Sequence, residues 1–205
     1  MSEFDPNLKQ IPVDGNENEC KCSKKNKITK DIVDYIEIFV FSICFVMLIF
    51  SFLFRVCTVE GPSMENTLLE GENLIVTDVF YTPQRGDIIV FHDTNTLNRP
   101  VVKRVIATAG ESVKVTYSLT SMTVQITKVD GTTEILEEPY TEYDFPNYAP
   151  KDYGVVPEGK IFVMGDNRSY SMDSRDDDIG FVDDRSILGK VVFRLTPFSR
   201  IGLVK

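Results

Sequence analysis

One uninterrupted apolar run near the amino terminus constrains this chain more than any other feature. Residues Ile38 to Phe54 contain no charged side chain, and their only polar side chains are Ser42 and Ser51. A helix of this length reaches about 25 Å, the short end of a bilayer span. A helix buried in a soluble core is the alternative, but such a helix normally keeps a polar face. The run therefore predicts one transmembrane helix within an anchor segment, residues 31–57.

The flanks of the run predict its retention and its orientation. A cleaved signal sequence ends at small residues, whereas this run ends in Phe-Leu-Phe followed by Arg55. Several lysines between residues 21 and 30 precede the run, and positive charge favours the cytoplasmic side. We therefore expect a single-pass protein of the cell membrane with a cytoplasmic amino terminus and an extracytoplasmic domain. Residues 1–30 are polar and contain prolines, which predicts a disordered cytoplasmic tail.

The remaining residues, 58–205, are numerous enough for one domain with its own core. The chain carries 22 basic and 31 acidic residues, which argues against nucleic acid as a partner because phosphate binding depends on Lys and Arg. No cysteine lies beyond Cys57, so the domain can form no internal disulfide. Cys20 and Cys22 have no second cluster to complete a zinc site, and we expect no metal.

Short alternating runs after residue 58 predict a mainly β domain. They are rich in valine and isoleucine and are bounded by turn residues. The runs are 73–77, 87–91, 101–106, 113–117, 123–127, 161–164 and 191–194. No soluble helix of real length is indicated, and we expect an antiparallel sheet that forms a closed or partly closed barrel. The proline-rich stretch 138–157 predicts an ordered surface loop.

A serine and a lysine are the candidate reacting groups. Ser63 follows Gly61 and Pro62, which predicts a tight turn that can display a nucleophile, although an ordinary turn serine fits the same residues. The chain has 1 histidine, His92, so another group has to take the proton of the serine. Lys103 lies among valines and isoleucines, and burial can lower a lysine pKa until the amine serves as a base. The alternative is that Lys103 reaches solvent or pairs with a carboxylate.

A third segment, residues 165–175, combines a Gly-Asp-Asn-Arg turn with serines and further charges. Acidic residues continue through 176–178, but their spacing lacks the alternating ligands and closing glutamate of a helix-loop-helix calcium site. We expect Asp166 and Asp173 to pair with arginines instead. The candidate partners are Arg104, Arg168 and Arg175.

Together these segments resemble the bacterial type I signal peptidases of the lysine type, over the anchor and nearly all of the outer domain. The resemblance rests on segments that occur in the order of that family. They are Gly61-x-Ser63-Met64-x-x-Thr67-Leu68, residues 85–91, Val102-Lys103-Arg104-Val105, and residues 165–175. The resemblance implies a serine endopeptidase whose antiparallel, barrel-like catalytic domain follows one transmembrane helix. Its partners would be the lipid bilayer and exported preproteins carrying signal peptides, cut after a small-x-small sequence.

The resemblance also implies a role for each matched residue. Ser63 matches the nucleophile, Lys103 the general base, and Ser171 a serine that hydrogen-bonds and orients this lysine. The family has charged residues that brace the site, and the matching residues here are Arg104, Asp166, Asp173 and Arg175. It also has residues that line the site, and the matching ones here are Gly61, Met64 and Met164. Neither a cofactor nor a metal is implied.

The chain departs from the family at two places, and other readings of the residues remain open. The family usually has proline at the position of Asn66, and Gly-x-Pro-Gly-Asp where this chain has residues 107–111. Self-cleaving stress-response repressors use a similar serine–lysine pair but carry a DNA-binding domain in front. An anchored β-domain without activity would not need Ser63, Lys103 and Ser171 together. A sortase would need a cysteine in the outer domain, which has none.

Overall fold

The computed structural model of the protein describes residues 17–93, 96–118, 121–141 and 149–204. Of residues 17–29 only the backbone is described. The chain divides into two compact units, Met1–Ile49 and Phe50–Lys205.

Helix α1, Glu17–Leu53, accounts for the described part of the first unit. Its segment Lys30–Leu53 is long and apolar enough to cross a membrane, with a mean hydropathy of 2.6. A core helix of a soluble protein would be covered by other residues, whereas 0% of this apolar window is buried.

The bounds of α1 differ from the predicted anchor and tail. The helix begins at Glu17, so the second half of the segment 1–30, which was expected to be disordered, is helical, and residues 1–16 lie outside the described residues. No proline interrupts the chain between Glu17 and the apolar run, and extending a nucleated helix costs little per residue. The last residues of the predicted anchor, 55–57, belong to a strand because they pair with the strand that follows in the chain.

The second unit is built of antiparallel strands, which confirms the predicted mainly β, barrel-like fold. Its strands are β1 Arg55–Thr58, β2 Asn73–Thr77, β3 Ile88–Asp93, β4 Arg99–Thr108, β5 Ser112–Tyr117, β6 Met122–Thr127, β7 Thr133–Ile135, β8 Lys151–Val155, β9 Lys160–Met164, β10 Val182–Asp183, β11 Ile187–Thr196 and β12 Gly202–Leu203. After Leu53, the described residues form no helix other than two short 3-10 turns, Asp184–Ser186 and Phe198–Arg200.

The strands form two sheets. The larger has the order β1-β2-β11-β3-β4-β9-β10, with β12 added beside β11, and the smaller has the order β7-β6-β5-β8. Two of the open edges of the larger sheet, as far as the described strands show, lie at β1 and at the first half of β4. β1 pairs with β2 alone, and β4 pairs with β9 only from Arg104 onward, so residues 99–103 have β3 as their single neighbour.

Strand β4 is buried on both faces along most of its length. Val105 packs in one core cluster with Ile89 and Phe91, while Ile106 packs in another with β5 and β6. Lys103 and Arg104, which alternation places on opposite faces, are only 4% and 3% exposed. Both cations are thus buried, and each needs polar partners inside the protein.

The strands absent from the sequence prediction are the short ones and one that pairs at a distance. β1, β7, β10 and β12 contain two to four residues each, too few for a recognisable alternation. The stretch 138–157, predicted as a loop, contains β8, which pairs with β5 across the intervening hairpin; its residues 142–148 lie outside the described residues.

Candidate active site

Ser63 lies in a compact turn between β1 and β2. The turn is closed at its base by backbone hydrogen bonds from Gly71 N to Val59 O, at 2.9 Å, and inside it by one from Leu68 N to Met64 O, at 2.8 Å. Met64 and Leu68 are 1% and 0% exposed and anchor the turn in the core. The apolar positions of the turn therefore fix the backbone from which the Ser63 hydroxyl projects.

Lys103 on β4 reaches this hydroxyl. Its Nζ donates a hydrogen bond to Ser63 Oγ at 2.7 Å. Burial lowers the pKa of Lys103 to about 8, against the opposing charge of Asp173 and with help from the positive charges of Arg175 and Arg99. A lysine with this pKa is substantially neutral near pH 8 and can accept a proton from a serine.

Asp166 joins the two elements that carry these groups. Arg104 donates to it twice, from Nε to Oδ1 at 2.8 Å and from Nη2 to Oδ2 at 2.7 Å. Thr67, in the Ser63 turn, donates its hydroxyl to the same carboxylate. The Arg104 guanidinium also lies 4.0 Å from the ring centre of Tyr140. Asp166 thereby ties the residue after Lys103 to the turn that holds Ser63.

Asp173 is the centre of a second buried network. Its carboxylate accepts from Ser171 Oγ at 2.6 Å, from Arg175 Nε at 2.8 Å and from the Gly165 N–H at 2.9 Å. Burial raises the pKa of Asp173, but the charge of Arg175 and these hydrogen bonds outweigh it and hold the pKa below its usual range. The carboxylate therefore stays ionised although it is 0% exposed.

The Ser171 hydroxyl donates to Asp173. The resemblance implies instead that it bonds to Lys103, and no such bond occurs between these two described residues. Ser171 is still close to Ser63, because both pack against Gly165. A Cβ added at Gly165 would lie 2.3 Å from Ser171 Oγ and 2.4 Å from Ser63 O. The backbone of the 165–175 loop thus packs directly against the Ser63 backbone, and Asn167 N donates a hydrogen bond to Ser63 O at 3.1 Å.

The arginines of the site divide the acidic partners between them. Asp166 pairs with Arg104 and Asp173 with Arg175, two of the three candidate partners. Arg168 pairs with neither, because its guanidinium contacts Glu138, from Nη1 to Oε2 at 2.8 Å. Neither Glu138 nor Tyr140 was among the predicted site residues. They lie in the proline-rich stretch after β7, and nothing in their local sequence indicates that they reach the 165–175 loop and Arg104.

The pair formed by Ser63 and Lys103, called the dyad from here on, opens into a cleft of about 500 Å³. Gly61, Ser63, Met64 and Lys103 line it, and Gly61 has a φ of 80° with no atom near the position of a Cβ. Met164 was also expected to line the site, but it is 0% exposed and packs in the core cluster that contains Ile106. The acidic side chains of residues 176–178 take part in no group of three possible metal ligands in the described part of the chain.

Several known proteins are similar to this chain. The family model described as signal peptidase, peptidase S26, matches residues 32–196. Signal peptidase IB of Staphylococcus aureus strain COL is 34% identical over 190 residues, which cover 83% of this chain and 92% of that protein. Signal peptidase I of Bacillus licheniformis is 34% identical over 189 residues, which cover 89% and 96%. A crystal structure of a signal peptidase I from Enterococcus faecalis aligns with a TM-score of 0.39 at 32% identity, over 54% of this chain and 97% of that one.

Proposed function

Because the chain belongs to the signal peptidase family, peptidase S26, we propose that it is a membrane-bound serine endopeptidase that removes signal peptides from exported preproteins. It cleaves after a small-x-small sequence through an acyl-enzyme on Ser63, with Lys103 as general base. The observation that carries this proposal is the 2.7 Å contact between Lys103 Nζ and Ser63 Oγ, made by a lysine that burial brings to a pKa of about 8.

The reaction follows from this contact. Neutral Lys103 takes the hydroxyl proton as Ser63 Oγ attacks the scissile carbonyl, so the amine becomes charged and the carbonyl oxygen becomes an oxyanion. When the intermediate collapses, Lys103 gives that proton to the leaving nitrogen and an ester remains on Ser63. Lys103 then takes a proton from water, whose oxygen attacks the ester, and returns the proton to Ser63 Oγ as the acid product leaves.

The oxyanion needs donors that are in place before the reaction. The Ser63 N–H is available, because no acceptor for it occurs among the described residues. We assign it as one donor. Gly61 stands two residues earlier and borders the same cleft, with no side chain to supply a second.

The two charged networks hold the dyad in register. Arg104 and Asp166 brace the Ser63 turn through Thr67, and Arg175 and Asp173 hold the 165–175 loop. Ser171 keeps hydroxyl lone pairs free while it donates to Asp173, so it can accept from Lys103 after the amine has become charged. Burial of these ion pairs makes their loss costly, because one unpaired charge would remain inside.

The substrate lies extended in the cleft. An extended peptide can pair with the free edge of β4 at residues 99–103, as peptides do when they add a strand to an open sheet edge. Apolar residues, among them Val101 and Val102, line this cleft together with polar ones. We infer that small substrate side chains next to the scissile bond are the ones that fit between the edges of β1 and β4, whose residues line this cleft.

The helix anchors the enzyme in the cell membrane, with the amino terminus in the cytoplasm and the catalytic domain outside. The partners are the lipid bilayer and exported preproteins, and the reaction uses no metal, cofactor or nucleic acid. The orientation can be tested in cells with a membrane-impermeant thiol reagent on a chain that keeps only Cys20 and Cys22. Neither should be labelled before lysis, whereas a matched chain with Glu158→Cys as its only thiol should be. Labelling of the first chain in intact cells refutes the orientation.

The activity itself is tested with the purified full chain in detergent. A preprotein is added, and the new amino terminus is sequenced. We expect one cut, directly after a small-x-small sequence, which Ser63→Ala abolishes. Absence of the cut, or its persistence in Ser63→Ala, refutes the proposed function.

A further inference from the structure

An ion pair crosses the cleft beside the dyad. Arg99 Nη1 donates to Glu60 Oε2 at 3.0 Å, and both residues line the cleft that contains Ser63 and Lys103. Glu60 precedes Ser63 by three residues and Arg99 precedes Lys103 by four. The pair therefore links the two walls on one side of the reacting groups.

A substrate in this cleft passes the pair. A peptide paired with the free edge of β4 lies about 4.8 Å from it and advances about 3.3 Å per residue. Over the four residues from Lys103 to Arg99, such a peptide advances by about four of its own residues. The substrate side chain at that distance from the scissile bond comes within reach of both charged groups.

The ion pair between Glu60 and Arg99 costs little free energy to break. The Arg99 and Glu60 side chains are 49% and 71% exposed, and exposed ion pairs contribute little to stability because water competes for both charges. The buried pairs of the same site differ, with Arg104 and Asp166 at 4% and 0% exposed. Substrate entry can therefore separate Glu60 from Arg99 and leave the supports of the dyad intact.

We propose that Glu60 and Arg99 form a charge gate that keeps the cleft indifferent to the charge of the substrate residue about four residues from the scissile bond. This inference rests on the proposed peptidase function. While the two residues balance each other, the gate favours neither an acidic nor a basic substrate residue at that position. When one partner is lost, the other presents an unbalanced charge to the peptide.

The test compares two peptide substrates that differ only in Asp or Lys at one position. A set of such pairs covers the positions three to five residues from the scissile bond on either side. The measured quantity is the ratio of kcat/KM for the Asp peptide to kcat/KM for the Lys peptide. Arg99 also lowers the pKa of Lys103, so its removal changes the rate on every peptide, but this change cancels in a ratio taken on one variant at one pH.

The variants are Glu60→Gln, Arg99→Gln and the swap Glu60→Arg with Arg99→Glu. We expect Glu60→Gln to raise the ratio and Arg99→Gln to lower it, each by about threefold or more, at positions on one side of the scissile bond. The swap should return the ratio to the wild-type value. Arg185→Ala, which removes an exposed ion pair with Asp183 outside the cleft, is the matched control and should leave the ratio unchanged.

Failure of the gate differs from failure of the proposed function. Each peptide contains the junction between a signal peptide and a mature protein. If the wild-type protein cuts none of the peptides at this junction, the peptidase assignment fails. If it cleaves them and the ratios of the two single variants do not move in opposite directions, the gate is refuted. Circular dichroism of each variant confirms that the ratios refer to folded protein.

Discussion

Lys103 Nζ donates to Ser63 Oγ at 2.7 Å across a separation of 40 residues in the chain. The lysine comes from a strand buried on both faces, and the serine from a turn that buried Met64 and Leu68 anchor. The contact joins a desolvated amine to a hydroxyl, and both residues line the same cleft. The burial that disfavours the charged form of Lys103 favours its neutral form, which can accept a proton.

The dyad should act as one unit. Ser63→Ala, Lys103→Ala and Lys103→Arg should each lower kcat/KM on a preprotein by about 10⁴-fold or more. The arginine variant fails because a guanidinium keeps its proton. The double variant with alanine at both positions should be no slower than either single one, with folding checked by circular dichroism. Appreciable activity of Lys103→Arg contradicts the assignment of this lysine as base.

The rate should follow the ionisation of Lys103. Only the neutral amine can take the serine proton, so kcat/KM should rise with pH along one limb with a midpoint near the Lys103 pKa of about 8. Arg99→Gln removes a positive charge that lowers this pKa, and its midpoint should move to higher pH. If kcat/KM does not change between about pH 6 and 10, Lys103 is not the base, because a lysine loses its proton within or near this range.

The buried lysine should also leave a signature in stability. Its pKa is about 8 in the folded protein against 10.5 when unperturbed, so between these values the unfolded state binds more protons and stability rises with pH. Below about pH 8 the buried amine costs on the order of 3 kcal/mol.

Lys103→Met should therefore raise the free energy of unfolding at pH 7, and the gain over wild type should shrink as pH rises towards 10.5. Thermal unfolding in detergent at several pH values measures this difference. Lys114→Met, at an exposed position of β5, is the control and should differ from wild type by a constant amount. If the stability gained in Lys103→Met does not change with pH, the gain does not come from the shifted pKa of Lys103.

Proline should not be tolerated at position 66, although the type I signal peptidases that this chain resembles usually have proline there. Asn66 has a φ of 79°, and the proline ring holds φ near −65°. Asn66→Pro should destabilise the protein by on the order of 3 kcal/mol and lower kcat/KM, because the turn that it distorts carries Ser63. Asn66→Gly, which accepts a positive φ, should stay close to wild type in both thermal unfolding and kinetics. Wild-type behaviour of Asn66→Pro means that the turn adopts another backbone conformation.

Gly165→Ala should damage catalysis more than any surface change. Its methyl group would meet Ser171 Oγ at 2.3 Å and the backbone oxygen of Ser63 at 2.4 Å, and a displacement of about 1 Å at a reacting group can cost 10²-fold in rate. We expect kcat/KM to fall by about that factor. Gly61→Ala, where the added carbon has open space, should cost only the strain of a positive φ, about 1–2 kcal/mol. Equal kinetics of the two variants would show that the 165–175 loop does not position Ser63.

Local sequence was sufficient where the structure depends on local pattern. The apolar run predicted α1, because length and lack of charge are properties of consecutive residues. Alternation predicted β2, with bounds Asn73–Thr77 in agreement, and it placed Lys103 and Arg104 on opposite faces of one strand. It did not predict β8, since Lys151–Val155 becomes a strand only by pairing with β5.

The pairing of charges was decided by the tertiary structure alone. From sequence, Asp166 and Asp173 each had three candidate arginines, and Arg168 was one of them. In the fold Arg168 reaches Glu138, 30 residues away, and Ser171 donates to Asp173. Such choices depend on which side chains become buried together, and an ion buried without a partner is strongly disfavoured. The sequence by itself determined the helix, the strand alternation and the choice of Ser63 and Lys103 as candidate reacting groups, because these depend on residue type and spacing. Only the tertiary structure decided the 2.7 Å contact, the burial that shifts the lysine pKa, and the ion pair across the cleft.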